Sequence, residues 1–216
     1  MGPIEVIKWG QIRWTKRAEE LLIPALAKKM RTSGIMTRDL TESGVSVVNV
    51  GGLAQLRYSR IFQRQKEPFM KIPVAIICDL DVREFEKRPK LDTQGRVELN
   101  DNGKAIYEYV KLPAESIALL KSQGMEAKAA AFDFHSIKAF VAPYWTLEYS
   151  LLKSDSLSEI FAKSFKTVHP TVDESNVEIE LARKLINRGL DKTGIAYDLA
   201  NVLETDNKRA PSQITL

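Results

Sequence analysis

The stretch Ile72-Pro-Val-Ala-Ile-Ile-Cys-Asp-Leu-Asp-Val82 decides the fold of this chain. Its first seven residues are six apolar residues and one proline, and no polar residue interrupts them before Asp79. An uninterrupted apolar run of this length predicts a strand that is buried on both faces, as in a parallel sheet covered by helices.

The segments before this strand alternate between strand and helix patterns. Residues 10–14 and the valine-rich residues 44–50 predict strands, whereas residues 18–30 and 53–65 carry apolar side chains at helical spacing. Pro24 lies inside the first helical pattern and is expected to kink that helix or displace its first turn. The order strand, helix, strand, helix, strand predicts an α/β fold with a mainly parallel central sheet flanked by helices and right-handed crossovers.

The composition of the chain changes after the apolar run. Residues 83–134 are rich in charge, carry turn signals at 92–95 and 100–103, and predict an insertion with a helix in two pieces around Gly124. A further strand and four helices are predicted at residues 137–142, 145–153, 157–165, 174–188 and 193–203. We therefore expect one domain at residues 1–204, followed by a polar tail at 205–216.

Composition narrows the class of protein. The chain has 216 residues, of which 44% are hydrophobic, so it can bury a sizeable core. Its net charge of +4 is compatible with nucleic acid as a partner without demonstrating one. The single cysteine, Cys78, excludes an intramolecular disulfide. No apolar stretch approaches the roughly 20 residues of a membrane span, and no signal-peptide pattern opens the chain, which predicts a cytoplasmic protein without membrane contact.

Two carboxylates follow the apolar run. Asp79 and Asp81 are separated by one residue, so an extended backbone would direct both side chains to the same face of the strand. Ligands bind at the carboxyl edge of parallel sheets, and Mg²⁺ binds through one or two carboxylates while keeping several waters. The pair therefore suggests a metal site; alternatively, the two aspartates simply begin the next loop.

Two more acids are expected at the same edge. Glu19 and Glu148 each lie in the predicted first turn of a helix that follows a strand. Since the carboxyl ends of parallel strands share one rim, these glutamates and the two aspartates can meet there. The alternative is that acids in a first helical turn complement the helix dipole.

Four ordered blocks, at residues 18–27, 44–52, 72–82 and 140–149, resemble the Toprim domain of OLD-family (overcoming lysogenization defect) ATP-dependent endonucleases. This resemblance implies a Toprim-like Rossmannoid domain with a partly helical insertion. It also implies a DNA endonuclease that uses Mg²⁺ or Mn²⁺ to hydrolyse phosphodiester bonds. It also implies an ABC-type ATPase domain that is absent from this chain. A second copy of the chain, in a homodimer, is a further candidate partner.

The resemblance assigns roles unevenly. The family's first motif is Val-Glu-Gly-x-x-Glu; its second glutamate falls on Glu19, but its first falls on Thr15, where Trp14-Thr-Lys-Arg17 replaces Val-Glu-Gly-x. The family's Asp-x-Asp falls on Asp79 and Asp81. One acid associated with metal binding and catalysis is therefore missing, and Thr15 is alternatively a helix N-cap.

Two later residues receive roles from the same resemblance. Glu148 lies in the block Thr146-Leu-Glu-Tyr149 and is a candidate ligand of a second metal. Lys192 is a candidate for the family lysine that stabilises the transition state; alternatively it is one of many solvated surface lysines.

Two other functions stay open. Loss of the acid at position 15 favours a catalytically degenerate Toprim module that binds DNA or a protein partner. Asp79-Leu-Asp-Val82 also resembles the first motif of haloacid-dehalogenase-like phosphatases, although two predicted strands precede it. No Gly-x-x-x-x-Gly-Lys-[Ser/Thr] motif occurs, so the chain is not expected to hydrolyse ATP by itself.

Overall fold

A parallel sheet of four strands forms the centre of the computed structural model, which describes residues 12–15, 17–49, 62, 66–67, 72–132 and 137–205. The strands are β1 (Ile12–Thr15), β2 (Ser46–Asn49), β3 (Val74–Cys78) and β6 (Ile137–Val141). Their order across the sheet is β2-β1-β3-β6, and every neighbouring pair is parallel. The predicted α/β class with a parallel central sheet is confirmed.

The apolar run forms the strand that its composition predicts. In β3 only Ile77 is partly exposed, and the other four residues are buried. Val74 and Ile76 pack with Phe62 and Ile137 in one apolar cluster. Burial on both faces is the reason that this strand is apolar without alternation.

Helix α1 (Arg17–Thr32) follows β1 and packs against the C-terminal helix. The helix begins at Arg17 and contains Pro24, so the expected displacement of its first turn is wrong. Pro24 removes the hydrogen bond to the Glu20 carbonyl, but both residues are exposed, so water can reach that carbonyl. The predicted helix at 53–65 lies outside the described residues, apart from the helical Phe62.

The segment predicted as an insertion contains an antiparallel hairpin and one helix. The hairpin strands are β4 (Phe85–Pro89) and β5 (Tyr107–Lys111), and the predicted turns lie between them. Helix α2 (Ala114–Phe132) then packs on β6 as a crossover would. The prediction of two helical pieces around Gly124 is wrong, because the helix runs through this glycine.

The C-terminal helices form the largest apolar core. They are α3 (Leu147–Leu152), α4 (Ser158–Val168), α5 (Val177–Ile186) and α6 (Lys192–Thr205), with a 3₁₀ turn at Glu174–Asn176 before α5. Residues from all four helices and from α1 meet in this core, which includes the fully buried Tyr149, Phe161, Phe165, Leu181 and Leu199. Within the described residues, no helix combines the length and the apolar character that crossing a membrane requires.

Candidate functional site

The candidate site lies where the chain leaves β3 and β6. The backbone N–H of Ala142 donates to the carbonyl of Cys78 at 2.9 Å, and the N–H of Asp81 donates to the carbonyl of Trp145 at 2.9 Å. These bonds hold the loop before α3 against the turn that follows β3. Helix α3 therefore begins beside Asp79, as the shared rim of a parallel sheet predicts.

Asp79 and Glu148 are buried beside one lysine. Each of the two acids is 2% exposed. Lys192 Nζ donates to Glu148 Oε2 at 2.7 Å and lies 4.0 Å from Asp79 Oδ2. The other oxygen, Asp79 Oδ1, accepts a hydrogen bond from the backbone N–H of Leu147 at 2.8 Å. Two carboxylates and one ammonium group thus form a compact site with an excess of negative charge.

The start of α6 fixes the position of Lys192. Asp191 Oδ1 accepts a hydrogen bond from the N–H of Gly194 at 2.9 Å, which is the bond of a helix N-cap. A Cβ atom on residue 194 would lie only 2.6 Å from Asp191 Oδ2, so a larger residue there would require the Asp191 side chain to shift. Lys192 therefore extends from a capped helix end, where its side chain is 34% exposed and pairs with the buried carboxylate of Glu148; its catalytic role stays a prediction.

His169 supports the same cap from the other side. The N–H of Asp191 donates to His169 Nε2 at 3.2 Å, so the imidazole acts as an acceptor. Burial lowers the pKa of His169, the positive charge of Lys184 lowers it further, and Asp191 opposes the shift. A lowered pKa favours the neutral ring that this hydrogen bond requires.

Asp81 differs from Asp79 in exposure and in the lysine that its carboxylate binds, although only one residue separates them. Its backbone has a φ of 63°, which is the left-handed region, and its side chain is 66% exposed. Lys128 of α2 donates to Asp81 Oδ2 at 2.6 Å and also to the backbone carbonyl of Asp79. Because β3 ends at Cys78, the extended geometry does not continue through the two aspartates, and the expectation that both leave one face of a strand is wrong.

Glu19 and Thr15 lie at the expected ends of their elements. Glu19 is in the first turn of α1 and is 3% exposed. Thr15 is the last residue of β1, where it pairs with Asn49, and α1 begins at Arg17, so the N-cap alternative for Thr15 stays a prediction. Trp14 pairs with Ile76, which puts the end of β1 beside β3.

The four predicted acids do not form one cluster. Over the described ranges, no group of three or more acid, histidine or cysteine side chains could hold a metal ion. Asp79 and Glu148 share Lys192, whereas the carboxylate of Asp81 binds Lys128. The metal-ligand roles of all four acids therefore stay predictions.

Helix α3 is anchored by a second charged group behind the site. Tyr149 is fully buried, and its hydroxyl donates to Glu178 of α5. Lys111 and Lys153 also donate to Glu178, at 2.8 and 2.7 Å. Burial alone would raise the pKa of Glu178, but these hydrogen bonds lower it to about 2. Burial, the bond to Glu178 and the nearby Glu84 raise the pKa of Tyr149.

Sequence reasoning missed Lys128 and its neighbour Lys121. Lys121 Nζ lies 2.8 Å from the buried carboxylate of Glu84, and both lysines extend from α2 toward the turn after β3. Their spacing in Lys121-Ser-Gln-Gly124-Met-Glu-Ala-Lys128 puts both lysines and the glycine on one helical face. This spacing is the sequence pattern from which a common helical face of the two lysines could be predicted.

Comparison with known proteins supports the resemblance over part of the chain. Residues 17–81 match the sequence model described as "Overcoming lysogenization defect protein-like, TOPRIM domain". This matched segment runs from the start of α1 to Asp81 and includes Glu19 and Asp79. The resemblance to the OLD-family Toprim domain is confirmed by this match.

Two solved structures are similar to the chain. Both are of the C-terminal region of the OLD protein of Xanthomonas campestris pv. campestris, phased with mercury in one case and with iodine in the other. Each is 19% identical, covers 95% of this chain and has a TM-score of 0.45, and the chain covers 91% and 90% of them, respectively. No curated protein matches the chain.

Proposed function

We propose that this chain is the Toprim portion of an OLD-type nuclease and hydrolyses phosphodiester bonds of DNA with Mg²⁺ or Mn²⁺. The observation that carries the proposal is the site formed by Asp79, Glu148 and Lys192 at the carboxyl end of the parallel sheet. The family match at residues 17–81 supports the same function, because it ends on the Asp-x-Asp motif.

The residues at this site fit a divalent metal. Asp79 and Glu148 offer hard carboxylate oxygens from buried side chains, and Mg²⁺ needs only one or two such ligands beside water and phosphate oxygens. Asp79 and Glu148 would hold the ion, with Glu19 and Asp81 as further proposed ligands. When bound, the metal supplies an activated water and stabilises the charge of the attacked phosphate.

Lys192 has two roles in this proposal. Without a metal, its ammonium group offsets the negative charges of Glu148 and Asp79. With DNA bound, the same group is a point charge that can contact a phosphate oxygen, which is a common role of lysine. Lys192 is the proposed residue for stabilising negative charge during cleavage.

A catalytically degenerate module is the competing function. Two observations favour it: the residue at the end of β1 is Thr15 rather than glutamate, and no cluster of three acids occurs in the ranges that the structure describes. A threonine hydroxyl is neutral near pH 7 and cannot replace a carboxylate as a strong ligand or base. Such a module would bind DNA or a protein partner without cutting it.

Nicking of supercoiled plasmid by the purified 216-residue chain separates the two functions. The assay uses Mn²⁺, with Asp79→Ala as the site variant and Asp101→Ala, in an exposed turn of the hairpin, as the matched control. We expect metal-dependent nicking by the parent chain and by Asp101→Ala, and none by Asp79→Ala. DNA binding without nicking by the parent chain would favour the degenerate module.

A further inference from the structure

One face of α2 packs on the turn that carries Asp81. Lys121, Gly124 and Lys128 lie at positions i, i+3 and i+7 of the helix and therefore share a face. Lys121 pairs with Glu84 at 2.8 Å, and Lys128 pairs with Asp81 at 2.6 Å. The two lysines thus bind one acid in the turn and a second acid that follows it.

Gly124 lies between the two lysines and lets the helix approach closely. A Cβ atom at this position would be 3.2 Å from Leu80 Cδ1 and 3.3 Å from Val82 Cγ2. Both distances are shorter than an ordinary van der Waals contact. The absence of a side chain therefore brings Lys128 within hydrogen-bonding distance of Asp81.

The turn itself is held in a costly conformation. A φ of 63° lies in the left-handed region, which is less favourable for aspartate than for glycine and is held here by surrounding contacts. The bond from the Asp81 N–H to Trp145 and the two bonds from Lys128 supply such contacts. Lys128 connects the carboxylate of Asp81 to the backbone of Asp79 and thereby fixes the shape of the turn.

We propose that Lys128 is a positioning residue that holds the Asp81 turn and competes with a divalent cation for the Asp81 carboxylate. This inference rests on the proposed function, because it assumes a metal at this rim. Lys128 Nζ occupies Asp81 Oδ2, so its ammonium group and a metal ion compete for that oxygen. The carboxylates of Asp79 and Glu148 lie beside Lys192 of α6, so the competition with Lys128 concerns the Asp81 carboxylate.

The competition predicts a gain of metal affinity when the charge of Lys128 is removed. Lys128→Met keeps most of the aliphatic chain but frees the carboxylate and deletes one positive charge close to the metal. Because Asp81 is largely exposed and screened by water, the expected gain is about fivefold in Mn²⁺ affinity rather than several orders of magnitude.

The test measures Mn²⁺ affinity by calorimetry in the full chain and three variants. Lys128→Met is expected to bind Mn²⁺ about fivefold more tightly than the parent, whereas Lys128→Arg retains the parent affinity because it keeps the charge. Lys28→Met is the matched control, since Lys28 of α1 pairs with the exposed Glu204 of α6. Adding Asp81→Asn to Lys128→Met should remove the gain. An affinity of Lys128→Met equal to or weaker than that of the parent overturns the competition.

Amide hydrogen exchange at Asp81 provides a readout without metal. If Lys128 holds the turn, the N–H of Asp81 should exchange severalfold faster in Lys128→Met than in the parent or in Lys128→Arg. Failure of every protein to bind Mn²⁺ would count against the proposed function alone, and the exchange rates would then decide whether Lys128 holds the turn. Unchanged exchange in Lys128→Met overturns that role.

Discussion

Asp79 and Asp81 stand two residues apart, yet they lie in contrasting environments. Asp79 is buried beside Lys192 and Glu148, whereas Asp81 is exposed and bound by Lys128. The first aspartate is held by the C-terminal helices and the second by α2. An Asp-x-Asp motif therefore does not by itself place two carboxylates in equivalent environments, because each environment depends on the element that packs on it.

The largest expected effect comes from changing the buried aspartate, Asp79. Asp79→Asn should lower the rate of Mn²⁺-dependent nicking by about a hundredfold or more, because the buried site loses a charged ligand. Asp81→Asn should lower it by about tenfold, since an exposed ligand that Lys128 already restrains contributes less. Nicking rates of both variants at saturating Mn²⁺ test this order. Equal losses would show that the two aspartates act as equivalent ligands.

The second effect compares the two lysines through stability. Lys192→Met leaves Glu148 and Asp79 buried without their ammonium partner and should lower the free energy of unfolding by about 2 kcal/mol. Lys128→Met breaks a pair with an exposed carboxylate and should cost less than about 1 kcal/mol. Urea denaturation in metal-free buffer measures both. A larger loss in Lys128→Met would contradict the assignment of the buried site.

The third effect concerns the missing acid at the end of β1. Thr15→Glu adds a carboxylate at the end of β1, the strand that pairs with β3, and should raise metal-dependent nicking about fivefold, as a further ligand or proton acceptor would. The melting temperature of the same protein is the control for a purely structural effect. Unchanged nicking by a folded Thr15→Glu protein would refute the register that matches Thr15 to the first motif glutamate.

The smallest effect concerns Glu178, which binds Tyr149 of α3, and is seen in the pH dependence of stability. The pKa of Glu178 is about 2 in the folded chain, below its ordinary value of 4.5. Its contribution to stability is therefore fully present above pH about 4.5 and is lost as the pH falls toward 2. After allowance for solvent screening, we expect a loss of about 1 kcal/mol.

Glu178→Gln isolates this contribution. The variant should be less stable than the parent near neutral pH, and the difference should shrink as the pH falls toward about 3. Unfolding by urea at a series of pH values measures it. A difference that is constant with pH would contradict the role of the Glu178 charge.

Local patterns predicted much of the fold. The apolar run before Asp79, the valine-rich strand and the helical stripes each depend on residues that are close in sequence, and all appear as expected within the described residues. The hairpin at residues 85–111 was missed as a pair of strands because its exposed faces carry charge, although its turns were predicted. Gly124 was interpreted as a helix break because a glycine selected for close packing looks the same in the sequence.

The sequence by itself determined the α/β class, the position of Asp79 at the end of a buried strand and the resemblance to an OLD-family Toprim domain. Only the tertiary structure decided which cation each carboxylate meets, since Lys192 is 44 residues from Glu148 and Lys128 is 47 residues from Asp81. The physical reason is that strand and helix formation depend on local periodicity, whereas an ion pair depends on which elements pack together. Periodicity can be recognised from neighbouring residues, whereas packing brings together residues that are far apart in the sequence.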